Sequence, residues 1–293
     1  MSNLSKGILS MLVTILCWSG IEILGSLVYL GGGGPITLLQ VRYVIATILF
    51  FLTIVFSKKL SFGLKKKELP LTILTGGLLA AHLLFFWLGL KNIVSIIAMM
   101  SIYFTYPALL AVFSSVFFKK KFTKRSKISL GLGSLGVAFT IGLLPYFNLG
   151  EVNVLGVVYL FLAVICWVFY LLFSQRKTPK HSPYTVLFYD FLIATGVFLL
   201  LQNPLVTLSE LTPNILTYLL LMGVFSTYIA YLFLQKAIKY MGASSVGIMH
   251  LSKAAFSIAL SYFILHQVAK PLQLFGVGLV LGSVLLLSRK KDE

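Results

Sequence analysis

Stretches of roughly twenty mostly apolar residues recur along the whole chain, the length of helix that spans a ~30 Å hydrocarbon core. In lipid every backbone N–H and C=O must be paired within the protein, so only helices and closed barrels can cross. Barrel strands would alternate over ~10 residues, and no such alternation appears. Ten spans fall at about residues 7–30, 36–56, 70–90, 93–118, 128–146, 154–174, 184–202, 214–235, 242–265 and 271–288. Of the 293 residues 59% are hydrophobic and only 11% charged, with mean hydropathy +0.99. A soluble domain of this size needs more charge to cover its surface. The expectation is an all-α, multi-pass integral membrane protein.

The formal charge of +17 could suggest nucleic acid, but the positive residues are distributed as topology signals. With the N-terminus inside, alternate segments carry Lys6, Lys58–Lys59, Lys65–Lys67, Lys119–Lys121, Lys124, Arg125, Lys127, Arg176, Lys177, Lys180, Lys236, Lys239 and Arg289–Lys291. These are 20 of the 24 Lys and Arg residues; the opposite loops hold only Lys91 and Lys270, and Arg42 and Lys253 lie within spans. An excess of Lys and Arg marks cytoplasmic loops. Both termini are therefore expected in the cytoplasm, with the chain in the cytoplasmic (cell) membrane. Membrane lipid is an expected partner and nucleic acid is not. The first apolar run is too long for a cleaved signal peptide and closes on no small-x-small site. Cys17 and Cys166 both lie inside spans beside a tryptophan and read as packing residues, not a disulfide or a metal site.

The chain repeats itself weakly. "ILCWSG" (15–20) answers "VICWVF" (164–169), and "VRYVIAT" (41–47) aligns with "YDFLIAT" (189–195) at an offset of 148. "GLKNIVSIIA" (89–98) meets "AIKYMGASSV" (237–246) at the same offset, and "GLGSLGV" and "GVGLVLGSV" open the last span of each half. Residues 1–148 and 149–293 thus form two five-helix repeats, joined through the outer segment 147–153. Five is odd, so the second half starts on the opposite side of the membrane. Inverted repeats are associated with secondary transporters, whose substrate site lies near the midplane between the halves.

On these residues the chain resembles the EamA-type members of the drug/metabolite transporter superfamily over nearly its whole length. The likeness rests on five plus five spans, on "CW" in the first span of each half, on Arg42 in the second, on "LK…S" and "IK…SS" at the short hairpins, and on Tyr106-Pro107 in the fourth. The resemblance implies movement of small metabolites by alternating access without ATP. Family members often carry Gly-Glu after the fourth and ninth spans; here those places read Lys119-Lys120-Lys121 and His266-Gln267, and "KAA" (253–255) stands where a partner of Pro107 is expected.

Ionisable residues inside a membrane usually face the bundle interior and are functional or paired. Here they are Glu22, Arg42, Asp190 and Lys253, joined by His82 and His250. Arg42 and Asp190 are repeat equivalents of opposite sign, but their positions along their spans put them on the order of 10 Å apart in depth, which argues against a direct pair. Arg42 is expected to snorkel outward. Asp190 is expected to reach water or lysines at the inner face. Glu22 and Lys253 fall near the middle third, on stripes of four-residue spacing: Thr14, Trp18, Glu22, Ser26, and Ser245, Met249, Lys253, Ser257, Ser261. Two outcomes are open: a buried Glu22–Lys253 pair, or a substrate site in which Lys253 attracts an anionic group and Glu22 an amine or a coupling proton. Lysine held neutral in a dry pocket is a third.

Aromatic residues supply candidate walls: Met99, Tyr103 and Tyr106; Tyr228, Tyr231 and Gln235; Trp167, Tyr170 and Ser174. Buried tyrosine hydroxyls need partners, which favours them over purely apolar neighbours. His82 reads as an interhelical histidine or a proton carrier. The candidate substrate-binding residues are thus Glu22, Lys253, Trp18, His250, Tyr103, Tyr106, Tyr231, Trp167 and His82. Gly131, Gly133, Gly136 and Gly276, Gly278, Gly282 allow close helix approach in the closing spans, a scaffold or a dimer face, so a monomer or a homodimer is expected. The tetraglycine before Pro35 is an outer turn, not a phosphate loop.

No nucleotide motif, metal constellation or catalytic triad is visible, and no cofactor is called for. The expected function is secondary active transport of a small polar metabolite, amino acids or derivatives first, with proton coupling through Glu22 or a histidine. The alternatives are a membrane-embedded enzyme, a lipid-carrier flippase, and a retinal-type pigment protein using Lys253 for a Schiff base.

Overall fold

The computed structural model describes residues 2–92, 103, 105–118, 123–140, 153–177, 181–253, 256 and 271–288, and among these the secondary structure is helical, with no strand. The helices are α1 (Asn3–Trp18), α2 (Ile21–Leu30), α3 (Pro35–Phe56), α4 (Leu69–Asn92), α5 (Tyr106–Phe118), α6 (Lys124–Thr140), α7 (Val154–Lys177), α8 (Pro183–Leu201), α9 (Pro204–Ser209), α10 (Pro213–Leu221), α11 (Ala230–Met241), α12 (Ala243–His250) and α13 (Pro271–Ser288). A π-helical segment, Met222–Ile229, joins α10 to α11. Six stretches are long and apolar enough to cross a membrane: Asn3–Leu30, Pro35–Phe56, Lys66–Asn92, Val154–Lys177, Pro183–Leu201 and Pro213–Met241. The expected spans 93–118, 128–146 and 242–265 lie partly outside the described residues, so the count of ten is not established by these helices.

Local chemistry explains the starts. Pro35, Pro183, Pro204 and Pro213 each stand in the first turn, where a missing N–H costs nothing. Ser182, Asn203 and Thr212 precede three of them and accept from Tyr184 N (3.3 Å), Leu205 N (3.0 Å) and Ile215 N (3.3 Å).

Packing follows the repeat. α6 packs on α13 and α3 on α8, each pairing a helix with its counterpart in the other half. α4 packs on α7 while α11 packs on α1, two contacts that exchange when the halves are exchanged. At the α3–α8 contact Thr47 and Thr195, at the offset of 148, share a hydrogen bond of 2.9 Å. On the closing pair, a side chain at Gly136 would meet the Gly276 carbonyl at 2.8 Å, so the small residues there do allow close approach. Gly131, Gly278 and Gly282 face open space.

Large apolar side chains stay outside, among them Phe51, Val55, Phe161, Ile165, Leu192 and Leu199, while Thr75, Arg42, Asp190, Gln235 and Lys177 are buried. That inversion suits lipid as the outer solvent, where buried polar groups pair with one another.

Two expected spans are broken. The first, 7–30, stops at Trp18 and restarts at Ile21, so the spacing that put Glu22 on one face with Thr14 and Trp18 is not continuous. Ser19 and Gly20 cause this: the Ser19 hydroxyl donates to Ile15 O at 2.7 Å and no side chain caps α2. The ninth, 242–265, turns at Leu251–Ser252. There the Ser252 hydroxyl turns back to Met249 O at 2.8 Å. Lys253 is therefore offset from the Ser245–Met249 face, and Ser257 and Ser261 lie outside the described residues.

Candidate functional site

Three departures from regular α-helix meet around one internal cavity: the α1–α2 break, the Leu251–Ser252 turn and the π segment. The cavity is bordered by both halves of the chain. Trp18 ends α1, Ile21 starts α2, and both line it. His250 ends α12, and Lys253 follows the turn; both also line it. Where the π segment widens the helix, Ser226 O is free to accept from Trp18 Nε1 at 2.8 Å, and the Ser226 hydroxyl donates to Cys17 O at 2.8 Å. Such bulges loosen the backbone ladder, and here the loosened carbonyl holds the aromatic wall in place.

The walls are rings. Trp18 lies 6.0 Å from Trp167, 5.3 Å from Tyr231 and 5.1 Å from His250 between ring centres. His82 stacks on Trp167 at 4.6 Å and hydrogen-bonds through Nδ1 to Ala163 O at 2.9 Å, the interhelical partner expected of it. Tyr103 packs edge-on against Phe86 at 5.0 Å. Of the nine candidate residues, Trp18, His82, Tyr103, Trp167, Tyr231, His250 and Lys253 all border this cavity. Tyr106 stands one layer back, its hydroxyl hydrogen-bonded to His250 Nδ1 at 2.5 Å, so it orients the histidine and does not form the wall. The side chain of Glu22, the second residue of α2, lies outside the described residues, and so does any Glu22–Lys253 pair. Met99 lies outside them as well. Tyr228 and Gln235 point elsewhere: Tyr228 Oη meets Thr53 Oγ1 at 2.7 Å, and Gln235 Nε2 donates to Ser174 Oγ at 2.6 Å and Tyr170 Oη at 3.1 Å.

Arg42 corrects the expectation of an outward snorkel. It is 0% exposed and lines the cavity. Its Nε donates to Thr227 Oγ1 at 3.1 Å, and its guanidinium lies 5.7 Å from the Trp87 ring centre. Thr227 is presented by the π segment, which no sequence pattern announces. Trp87 is the second residue missed; a side chain at Gly25 would meet its ring at 2.3 Å, so the glycine in α2 is what lets the ring lie flat there. With Trp87, all three tryptophans of the chain border the cavity.

Asp190 does not pair with Arg42. It meets Lys177 instead, 2.5 Å away and buried, one of the lysines expected at that end of the helix. Cys17 and Cys166 are free and half-buried. Among the described residues no group of three or more His, Cys, Asp or Glu could hold a metal ion.

These features define a multi-pass helical membrane protein with a cavity shared between two similar halves. The model of the EamA-like transporter family matches residues 5–142 and again 154–289, and the chain belongs to that family. A solved crystal structure shares its fold with a TM-score of 0.78 at 16% identity, covering 96% of each chain. None of the curated proteins it was compared with matches.

Proposed function

We propose that the chain is a secondary active transporter that moves a small polar metabolite carrying an anionic group, an amino acid or derivative first, by alternating access. The observation that carries this is the cavity bordered by both repeats, which brings Arg42 and Lys253 together among aromatic rings. Two cations that line one cavity attract a carboxylate or phosphate, and planar guanidinium suits carboxylate geometry. The N-terminal end of α2, at Ile21, borders the same space and adds partial positive charge. Tryptophan and tyrosine faces then suit an apolar or aromatic body. Broken helices at the seam between repeats are a recurrent way of building such a site.

In this proposal the fold is ten transmembrane helices, as inverted five-helix repeats 1–148 and 149–293, with both termini on the lysine-rich, cytoplasmic side of the cell membrane. Support comes from the exchange symmetry of the helix contacts and from the Thr47–Thr195 bond at the repeat offset. The chain works as a monomer or a homodimer, and Glu22, His82 and His250 remain proton-coupling candidates.

A melting screen of the purified protein against pools of small metabolites tests this, because a ligand that binds only the folded state raises its stability. Anionic amino-acid derivatives should raise the melting temperature, and Lys253→Ala should abolish the response while leaving the unliganded melt near that of the wild type. A response confined to neutral or cationic compounds, or one untouched in Lys253→Ala, defeats the proposal.

A further inference from the structure

Away from the cavity, toward the start of α8, a second set of charges is buried. Asp190 is fully buried; its Oδ1 accepts from Lys177 Nζ at 2.5 Å and from Thr75 Oγ1 at 2.6 Å. Lys177 Nζ also donates to Thr75 Oγ1 at 2.6 Å, and Asp190 Oδ2 has no hydrogen-bond partner among the described residues. Desolvating two charges is costly, and mutual attraction offsets that cost fully only when the remaining lone pairs are satisfied. A pair that leaves one carboxylate oxygen bare is a poor device for stability alone.

Its position suggests a use. Asp190 is the repeat equivalent of Arg42, at the offset of 148. Arg42 bonds Thr227 between the second and eighth spans, and Asp190 bonds Thr75 between the seventh and third. Each bond thus joins the second span of one half to the third span of the other, with the charge reversed. Two small voids adjoin Lys177 and share Leu64, Lys177 and His181 as walls. Over them the segment after α3 is strapped down: Thr185 Oγ1 donates to Ser61 O and Tyr189 Oη to Phe62 O, both at 2.8 Å. His181 Nε2 lies 2.9 Å from Glu68 Oε2 at the outer wall, each 14% exposed.

We propose that Asp190 is a proton-binding site that governs access from the lysine-rich side. A proton entering through these voids binds the Asp190 carboxylate and converts it to the neutral acid. Lys177 then loses its counter-charge and moves toward the voids, and the strap opens. Loss of the proton re-forms the pair and closes that side. This rests on the transport proposal, to which it adds the link between proton movement and access.

Several groups set the environment of Asp190. α7 supplies Lys177 and Tyr170, and α4 supplies Thr75. α3 brings Tyr43, stacked on Phe191 at 4.7 Å, and α11 brings Lys236, over the Tyr184 ring. His181 and Glu68 lie one layer further out and are themselves ionisable, so they must be tested separately.

The test uses the full chain in liposomes, with Cys17 and Cys166 replaced by serine and Thr72→Cys as a probe, since Thr72 is buried and lines one void. Labelling by a membrane-impermeant maleimide is measured relative to the same thiol in the unfolded protein at each pH, which removes the thiol's own titration. The ratio should rise on acidification by about tenfold per pH unit over part of the range, the slope for one proton. Asp190→Asn should give a high ratio that no longer depends on pH, and His181→Gln should keep the slope. A flat ratio in the parent, an unchanged slope in Asp190→Asn, or loss of the slope in His181→Gln each overturns the proposal. If Asp190→Asn fails to fold, infrared titration of the parent decides. With only seven acidic residues in the chain, a protonated-carboxyl band must grow in step with the opening. Its absence overturns the proposal. No substrate is needed, so a pH-linked opening without ligand binding would sink the transport proposal alone, and ligand binding with a flat ratio would sink this one alone.

Discussion

Gly25 holds open the place that Trp87 occupies. A Cβ at residue 25 would sit 2.3 Å from Trp87 Cζ3 and 2.4 Å from Cη2. Carbon atoms rest at about 3.5–4.0 Å, so Gly25→Ala must drive the ring back by at least about 1.2 Å. The ring has little room to yield: Trp87 is 1% exposed, Phe86 packs on it at 5.6 Å, Tyr29 at 6.0 Å, and the Arg42 guanidinium lies 5.7 Å away. Its free direction is into the cavity. Overpacking of this kind costs roughly 1–3 kcal/mol, equivalent to a fall of roughly 2–12 °C in melting temperature for a chain of this size. Gly20→Ala is the matched control. Nothing lies within 4 Å of its added Cβ and its φ of −102° suits any residue, so its effect should stay within about 0.5 kcal/mol. Intrinsic tryptophan emission reads both outcomes directly, since every tryptophan borders the cavity. Gly25→Ala should lower the melt, change the emission spectrum of the folded protein and weaken any ligand response, while Gly20→Ala changes none of these. Identical melts and spectra for the two variants would refute the claim that α2 fixes Trp87 as a rigid wall.

Arg42→Lys keeps the charge but loses the Nε bond to Thr227 and the guanidinium beside Trp87. For a carboxylate ligand found in the screen, loss of one charge-assisted hydrogen bond, about 1.5–3 kcal/mol, should weaken binding roughly 10- to 150-fold in a fluorescence titration; an unchanged Kd removes Arg42 from the site. At the start of α3, Glu210 Oε2 accepts from Gly34 N at 2.8 Å and from Thr37 Oγ1 at 2.6 Å, closing the glycine turn. Glu210→Gln should speed amide exchange over residues 31–38 by roughly tenfold, the cost of weakening one charged acceptor, and leave ligand response alone. Unaltered exchange would show that the turn is held by its own backbone.

Period, charge and repetition are legible in the sequence, and each dictates a part of the structure. The alignment of "VRYVIAT" with "YDFLIAT" foretells the Thr47–Thr195 contact, because a repeat that packs about an axis brings equivalent residues together. Polar and aromatic residues in an apolar run must turn inward, which is why most of the candidates meet at one cavity. Arg42 departs from its expected place because depth along a straight helix says nothing of which neighbour draws a long side chain inward. Its partner Thr227 sits on a π segment, and "MGVFSTYI" carries no sign that the ladder will skip a residue there. The helix breaks are equally hidden. Ser19-Gly20 and Leu251-Ser252 lie inside apolar runs, and only tertiary partners decide whether such runs stay straight.

Under the transport proposal, two identical inverted halves would give two access states of equal energy, so any preference between them would come from positions where the halves have diverged. Arg42 and Asp190 are such a position. At one end the charge lines the cavity, with a hydroxyl and a ring beside it; at the other it pairs with a lysine from α7. At both ends a threonine hydroxyl from the third span of the other half bonds the charged group, Thr227 at Arg42 and Thr75 at Asp190. A ligand that engages Arg42 and a proton that engages Asp190 then act on the same pair of helices, α3 and α8, joined at Thr47–Thr195. Coupling of this kind requires only that the two helices move as one body, because a shift favourable at either end is then felt at the other.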